Sequence, residues 1–180
     1  MSLVAIQGIC GSYSEEAALK MFSKGIEILE CRTFAETFQA VISKRVRYAV
    51  VPLKNKIVGE ITSATSVLGK TDLRILDEFP LEVRHVLVGT KTASFEKARK
   101  IRSHVEALKQ CRRFLSNHEK METIIGDDTA SSVRRIIAEN DSTQTAIGSR
   151  RAAEIYGGRI LKEDIADDPA NVTTFYLVSN

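Results

Sequence analysis

The sequence predicts an α/β protein of two lobes with a ligand cleft between them. Three observations carry that prediction. Short apolar runs of strand length alternate with segments of helical periodicity, the order of βαβ units and a largely parallel sheet. The second half of the chain repeats the element order of the first. Two extended apolar stretches, near residues 83–89 and 171–177, fall where the chain would cross between the halves. Lobe 1 is expected over 1–82, joined by part of the C-terminal segment, and lobe 2 over 83–180. The length of 180 residues suits one domain or two lobes of about 90 residues each.

Leu3–Gln7 reads as the first strand. A turn with Gly8 and Gly11 follows, and Ser14 stands where it can cap a helix running to about Ser23. Ile26–Cys31 is a strand, Phe34–Ser43 a helix, Tyr48–Pro52 a buried strand and Ile61–Leu68 a helix. Leu73–Phe79 and Val83–Gly89 read as extended, with Pro80 separating them. In the second half, Lys100–Ser103 is a short strand, His104–Leu115 a helix, Met121–Gly126 a strand and Thr129–Glu139 a helix. Thr145–Ser149 is a strand, Arg150–Tyr156 a helix, Arg159–Leu161 a strand, and Thr173–Ser179 the last strand. Thr33–Val50 and Thr129–Ile147 share one pattern, a Thr, an apolar helix, then a strand carrying Ala and an aliphatic residue. Arg74–Glu78 likewise matches Arg159–Glu163. The spacings differ, so this is a pseudo-repeat and not a tandem array.

Composition excludes several classes. With 43% hydrophobic and 27% charged residues, the chain is neither disordered nor fibrous. A net charge of +3, from 26 Lys and Arg against 23 Asp and Glu, is too mild for nucleic-acid binding by bulk charge. Aromatics are 6% and Trp is absent, so base-stacking platforms are not expected. No apolar run approaches the roughly 18 residues of a membrane span. Met1-Ser2-Leu3 leads into a strand without a basic n-region, so no signal peptide is expected. Cys10, Cys31 and Cys111 are odd in number and far apart, which reads as unpaired thiols in a cytoplasmic protein. His85, His104 and His118 lack ligand spacing, so no metal is expected.

Four segments could carry chemistry. Gly8 to Ser14 lies between strand and helix; it is either an anion cradle at a helix N-terminus or an ordinary Ser-capped turn. It matches neither a Walker loop nor GxGxxG, which argues against a nucleotide. Pro52 to Lys56 follows the buried strand, and residues at the C-terminal end of a central strand face a ligand crevice. Asn55 there can both donate and accept, while Lys54 and Lys56 are either ligand cations or solvated side chains. Ser103-His104 opens a helix bearing Gln110 and Cys111, with no acidic partner near in sequence to complete a triad. Asn171 to Phe175 enters the last strand, where Thr173 and Thr174 point to opposite faces.

Taken together and in this order, the segments resemble the catalytic domain of prephenate dehydratase over essentially the whole chain. The pieces are Ser103-His104 through Gln110-Cys111, Gly8 to Ala18, Tyr48 to Pro52 with Asn55 and Gly59, Ala146 to Gly157, and Asn171, Thr173 and Phe175. The resemblance implies a two-lobed α/β fold of periplasmic-binding-protein-like (type II) architecture. It implies a lyase of phenylalanine biosynthesis that removes water and carbon dioxide from prephenate, without a cofactor. It implies that Thr173 assists loss of hydroxide and that Ser12, Tyr13, Asn55, Thr129, Ser149, Thr174 and Phe175 bind the dicarboxylate. A homodimer is also implied. No regulatory ACT domain, which often follows in this family, is expected within these residues.

The sequence departs from the family pattern at defined positions. Thr174 stands where the family's Thr-Arg-Phe has Arg. Lys54-Asn55-Lys56 stands for Glu-Asn-Ser, Ile9 replaces a Pro, and Ser12 and Tyr13 replace Thr and Phe conservatively. Lys54 or Lys56 is therefore a candidate for the cation absent at position 174. A carboxylate-binding or regulatory homologue with impaired catalysis, or a prephenate decarboxylase that does not aromatise, are the alternative expectations.

Overall fold

The computed structural model describes residues 2–22 and 25–180. Met1, Ser23 and Lys24 lie outside the described residues, and with them the expected helix end near Ser23. In chain order the first elements are β1 (Ser2–Gln7), α1 (Tyr13–Met21), β2 (Ile26–Cys31), α2 (Phe34–Ile42), β3 (Tyr48–Asn55), β4 (Gly59–Glu60), α3 (Thr62–Leu68) and β5 (Arg74–Glu82). Then come β6 (Val86–Gly89), β7 (Lys100–Ser103), α4 (Val105–Gln110), α5 (Arg112–Ser116), β8 (Glu122–Ile125) and α6 (Thr129–Glu139). The last are β9 (Gln144–Gly148), α7 (Arg150–Tyr156), β10 (Arg159–Lys162) and β11 (Val172–Ser179). Two compact units divide them: Met1–Val83 with Asn171–Asn180, and Arg84–Ala170.

Unit 1 holds a sheet in the order β2-β1-β3-β11-β5, with β4 paired to β3. Strand β1 is parallel to β2 and β3, whereas β11 runs antiparallel to both β3 and β5. Unit 2 holds β10-β6-β9-β7-β8. There β7 is parallel to β8 and β9, and β6 is antiparallel to β9 and β10. The expectation of largely parallel sheets is thus corrected: both are mixed, because β11 and the short β4 run reversed in the first and β6 in the second. Read from β2 and from β8, the two sheets have one topology, with β5 and β10 as matching edges. Those edges carry the matching pair noticed in the sequence, Arg74–Glu78 within β5 and Arg159–Glu163 up to Lys162 within β10.

Local chemistry sets the helix starts. Ser12 Oγ caps α1 by accepting from Glu15 N–H at 3.3 Å, so the cap is Ser12 and not Ser14. Thr33 caps α2 through Glu36 N–H at 3.1 Å, Asp128 caps α6 through Ser131 N–H at 2.7 Å, and Ser149 caps α7 through Ala152 N–H at 2.9 Å. The helix expected over His104–Leu115 is two, α4 and α5, broken at Cys111. The cause is a distant segment. Gln110 C=O accepts from Asp167 N–H at 2.7 Å, and Asp167 Oδ1 accepts from Arg113 N–H at 3.0 Å. A continuous helix would have used both groups internally.

Proline does not end the strand at residue 80. Strand β5 runs through Pro80, at the edge of its sheet, where a missing N–H is tolerated. Strand β3 likewise runs past Pro52 to Asn55. Its pairing with β1 stops at Val50, and Pro52 lies opposite Phe175 beside a register shift in β11. That extension brings Asn55 to the last strand.

The cores obey the strand alternation. On one face of β1, Val4 and Ile6 pack with Ala17, Ala18, Val50, Leu81 and Phe175. On the other, Ala5 packs with Val41, Val46 and Ala49. Unit 2 is centred on Leu87, Ile101, Leu108 and Ile147. Each fully buried aliphatic side chain contributes about 1.5–3 kcal/mol, which makes these central strands rigid platforms for the segments at their C-terminal ends.

Candidate active site

Strands β3 and β11 pair so that Thr173 lies opposite Asn55. Asn55 is buried, as are Thr173 and Asn171 just before β11. Asn55 Oδ1 accepts from Ile57 N–H at 2.8 Å and Val58 N–H at 3.0 Å. Backbone amides can only donate, so the oxygen of the Asn55 side chain must be on that side. Nδ2 then donates to Asn171 Oδ1 and to Thr173 Oγ1, each at 2.8 Å. The turn behind Asn55 is closed further by Lys56 N–H on Val172 C=O at 2.8 Å.

The same register sets Lys54 opposite Thr174 and, on its other side, opposite Glu60 of β4. Cross-strand partners share a face and neighbours alternate, so Lys54 and Thr174 lie on the face away from Asn55 and Thr173. Lys54 and Lys56 are both exposed, and Thr174 is half-buried. Phe175 is a core residue, 2% exposed, packed with Val4, Ile6 and Val50.

The glycine turn uses its donors internally. Gly8 and Gly11 have φ of 104° and 89°, a region that glycine enters without a Cβ clash. Cys10 N–H donates to Glu30 Oε1 at 2.6 Å, and Gly11 N–H donates to Glu15 Oε2 at 2.7 Å. With Ser12 Oγ bonded to Glu15 N–H and Glu15 Oε2 reaching Gly11, one residue before the cap, this is a shifted form of the capping box. Two of the chain's own carboxylates therefore sit where an outside anion would. Ser12 keeps a hydroxyl proton to give, and the half-buried Tyr13 packs against the core of Val4 and Ile6.

In unit 2, Ser103, Thr129 and Ser149 gather at the C-terminal ends of β7 and β9. Ser103 Oγ donates to Ile147 C=O at 2.8 Å, and a Cβ at Gly148 would lie 3.4 Å from Thr129 C=O. Ser149 is buried and caps α7. His104 caps α4, its Nδ1 accepting from Glu106 N–H at 3.2 Å. Buried His85 lies 2.9 Å by Nε2 from Gln110 Oε1, at the end of α4. Burial holds the His85 pKa below its ordinary value, against the opposing pull of Gln110. Burial, with Asp167 nearby, pushes the Cys111 thiol up to about 12, so it is not a nucleophile at neutral pH. No group of His, Cys, Asp and Glu able to hold a metal occurs among the described residues.

Three residues gain roles that the sequence reading did not assign them. Asn171 has no role that its own segment reveals; its link to Asn55 spans 116 positions. Glu15 is legible in the sequence as the last residue of a Ser-x-x-Glu capping box. Glu30 carries no local signal, because its bond to Cys10 depends on the pairing of β1 with β2.

The prephenate dehydratase family model matches residues 4–180. An arogenate dehydratase/prephenate dehydratase of Arabidopsis thaliana is 37% identical over 176 residues, covering 98% of this chain and 46% of the relative. A bifunctional chorismate mutase/prephenate dehydratase of Neisseria gonorrhoeae is 31% identical over 178 residues, covering 98% of this chain and 49% of the relative. The chain thus spans about half the length of the curated relatives it matches. Among solved structures, prephenate dehydratase of Arthrobacter aurescens in complex with L-Phe superposes with a TM-score of 0.90 at 26% identity, covering 99% of this chain and 60% of that one. GqqA, described as a quorum-quenching acylase, superposes at 0.86 with 30% identity, covering 99% and 64%. A periplasmic substrate-binding protein of Coxiella burnetii superposes at 0.51 with 11% identity, covering 98% and 84%, a likeness of fold alone.

Proposed function

Because this chain belongs to the prephenate dehydratase family, we propose that it catalyses the decarboxylating dehydration of prephenate to phenylpyruvate in phenylalanine biosynthesis. The observation that carries the reading is the buried Thr173 hydroxyl, which accepts a hydrogen bond from Asn55 at 2.8 Å. In the reaction the bond to the ring carboxylate breaks and carbon dioxide leaves. The released electron pair aromatises the ring and expels hydroxide, which needs a proton. Thr173 is the donor that assists this departure. No cofactor is called for, since aromatisation drives the step and the protein supplies orientation and charge stabilisation.

The charge of the substrate calls for cations. In the family pattern, positions 54 and 174 carry Glu and Arg; here they carry Lys and Thr. Because 54 and 174 are cross-strand partners, the substitution moves a cation across one strand spacing. Lys54 is for this reason assigned the carboxylate ahead of Lys56, although its side chain starts on the face away from Thr173 and its four-carbon stem has to reach round the strand. Ser12, Tyr13, Thr129 and Ser149 are assigned supporting polar contacts, and Phe175 an indirect role through the core. We place the protein in the cytoplasm, where Cys10, Cys31 and Cys111 would persist without a disulfide, and expect a homodimer, which sedimentation would read.

The test is turnover. Purified protein is incubated with prephenate at neutral pH and phenylpyruvate is read by its absorbance in alkali, with heat-killed protein as control. Arogenate is offered in parallel, since dehydratases of both substrates are among the relatives. Product formation above the control is expected; none with either substrate would overturn the reading.

A further inference from the structure

We propose that Asn55 contacts no substrate and acts as a positioning residue, fixing the polarity of the Thr173 hydroxyl so that its proton is given outward. The proposal rests on the functional reading above for the consequence to turnover, but its geometry stands apart from it. A carboxamide offers two N–H donors and one oxygen that comfortably accepts two bonds. In Asn55 all four are committed within the protein. Oδ1 serves Ile57 and Val58 N–H, while Nδ2 serves Asn171 Oδ1 and Thr173 Oγ1. No capacity is left for a ligand.

The orientation cannot be exchanged. Turning the amide over would set an –NH2 group against two backbone N–H groups, donor against donor, and forfeit both bonds. Nδ2 must therefore face Thr173, and Thr173 Oγ1 must accept from it. A hydroxyl that accepts on that side keeps its single proton for another acceptor. Among the described residues none takes that proton, and Thr173 is 7% exposed. Asn55 thereby converts a residue able to donate or accept into a donor. The charged groups around Asn55 are Lys54 on its own strand, Lys56 in the turn that follows, Glu60 on β4 and Glu82 on β5; none is bonded to its side chain.

Asn55→Asp tests this. One carboxylate oxygen still accepts from Ile57 and Val58, so the turn is kept. The other can only accept, and the Thr173 proton turns inward to meet it. We expect kcat to fall roughly 10²-fold with KM nearly unchanged. On acidification the introduced carboxylate takes up a proton and can donate again, so the fractional loss should shrink as pH falls, after subtraction of the protein-free reaction. In a Thr173→Val background, Asn55→Asp should add nothing. A loss expressed in KM, a loss independent of pH, or a full additive loss beside Thr173→Val would each overturn the proposal.

A second measurement needs no turnover. In the NMR spectrum of the wild-type chain, both Asn55 side-chain amide protons should exchange slowly, and Thr173→Val should shift one far more than the other. Exchange at the rate of an exposed amide would overturn the positioning role even if the enzyme is active. Slow exchange with no turnover of prephenate or arogenate would instead overturn the functional reading alone.

Discussion

At residue 173 one oxygen atom separates two outcomes. Thr173→Val keeps shape and β-propensity but removes the hydroxyl. It should lower turnover roughly 10³-fold, to a small residual rate, while the cooperative melt persists, and Thr173→Ser should retain part of the rate; a fully active Val variant would remove Thr173 from the mechanism. Lys54→Met should weaken prephenate binding, raising KM about tenfold, which corresponds to ~1.4 kcal/mol. Lys56→Met should leave it unchanged, and titration calorimetry of the two variants separates them. These two lysines mark the reach of sequence at this scale. Alternation shows that Lys54 points away from Asn55, whereas Lys56 lies in the turn beyond β3, where alternation does not hold. That Lys54 stands beside position 174 comes only from a pairing between strands far apart in the chain. The bond from Asn55 to Thr173 spans 118 positions and has the same origin.

Elements are legible wherever their causes are local. The boundaries of β2, β7 and α6 can be read from periodicity because apolar spacing and a cap define them. Where a distant segment intervenes the reading fails, as at Cys111, where Asp167 divides one helix into α4 and α5. Ser14 is the wrong cap for α1 for a different reason. Ser12 and Glu15 form the capping box, and their spacing is itself a local signal that outweighs a lone serine. Ser12→Ala should lower stability by about 1 kcal/mol, read as a shift in the urea midpoint at unchanged slope. Asp128→Ala at α6 should cost a similar amount. A null effect at Ser12 would mean that Glu15 holds the turn without it.

For the whole molecule, the pseudo-repeat is informative because it is architectural: two sheets of one topology, each with a reversed strand. Which sheet receives which strand is only partly legible, since apolar strand sequences do not encode partners. One buried group gives the molecule a pH dependence. The folded pKa of His85 lies below its ordinary value, chiefly by burial. As pH falls through the unfolded value of 6.5, the unfolded chain takes up the proton first. Stability from this group is thus complete above that pH and declines below it. Urea midpoints at pH 7.5 and 5.5 should differ for the wild type and differ less for His85→Gln; an equal difference in both would assign the effect to another group.

The placement of β11 also imposes an order in time. Residues 84–170 form one contiguous unit, whereas the other unit is assembled from both sides of it. Strand β5 pairs with β11 and lies at the edge of its sheet. During synthesis, then, residues 74–82 leave the ribosome with no partner and wait until residues 172–179 emerge. The contiguous unit is free to fold meanwhile, while Ile75 and Leu76 sit on an unpaired strand, the condition under which nascent chains associate. Strand β11 is the one that closes this interval.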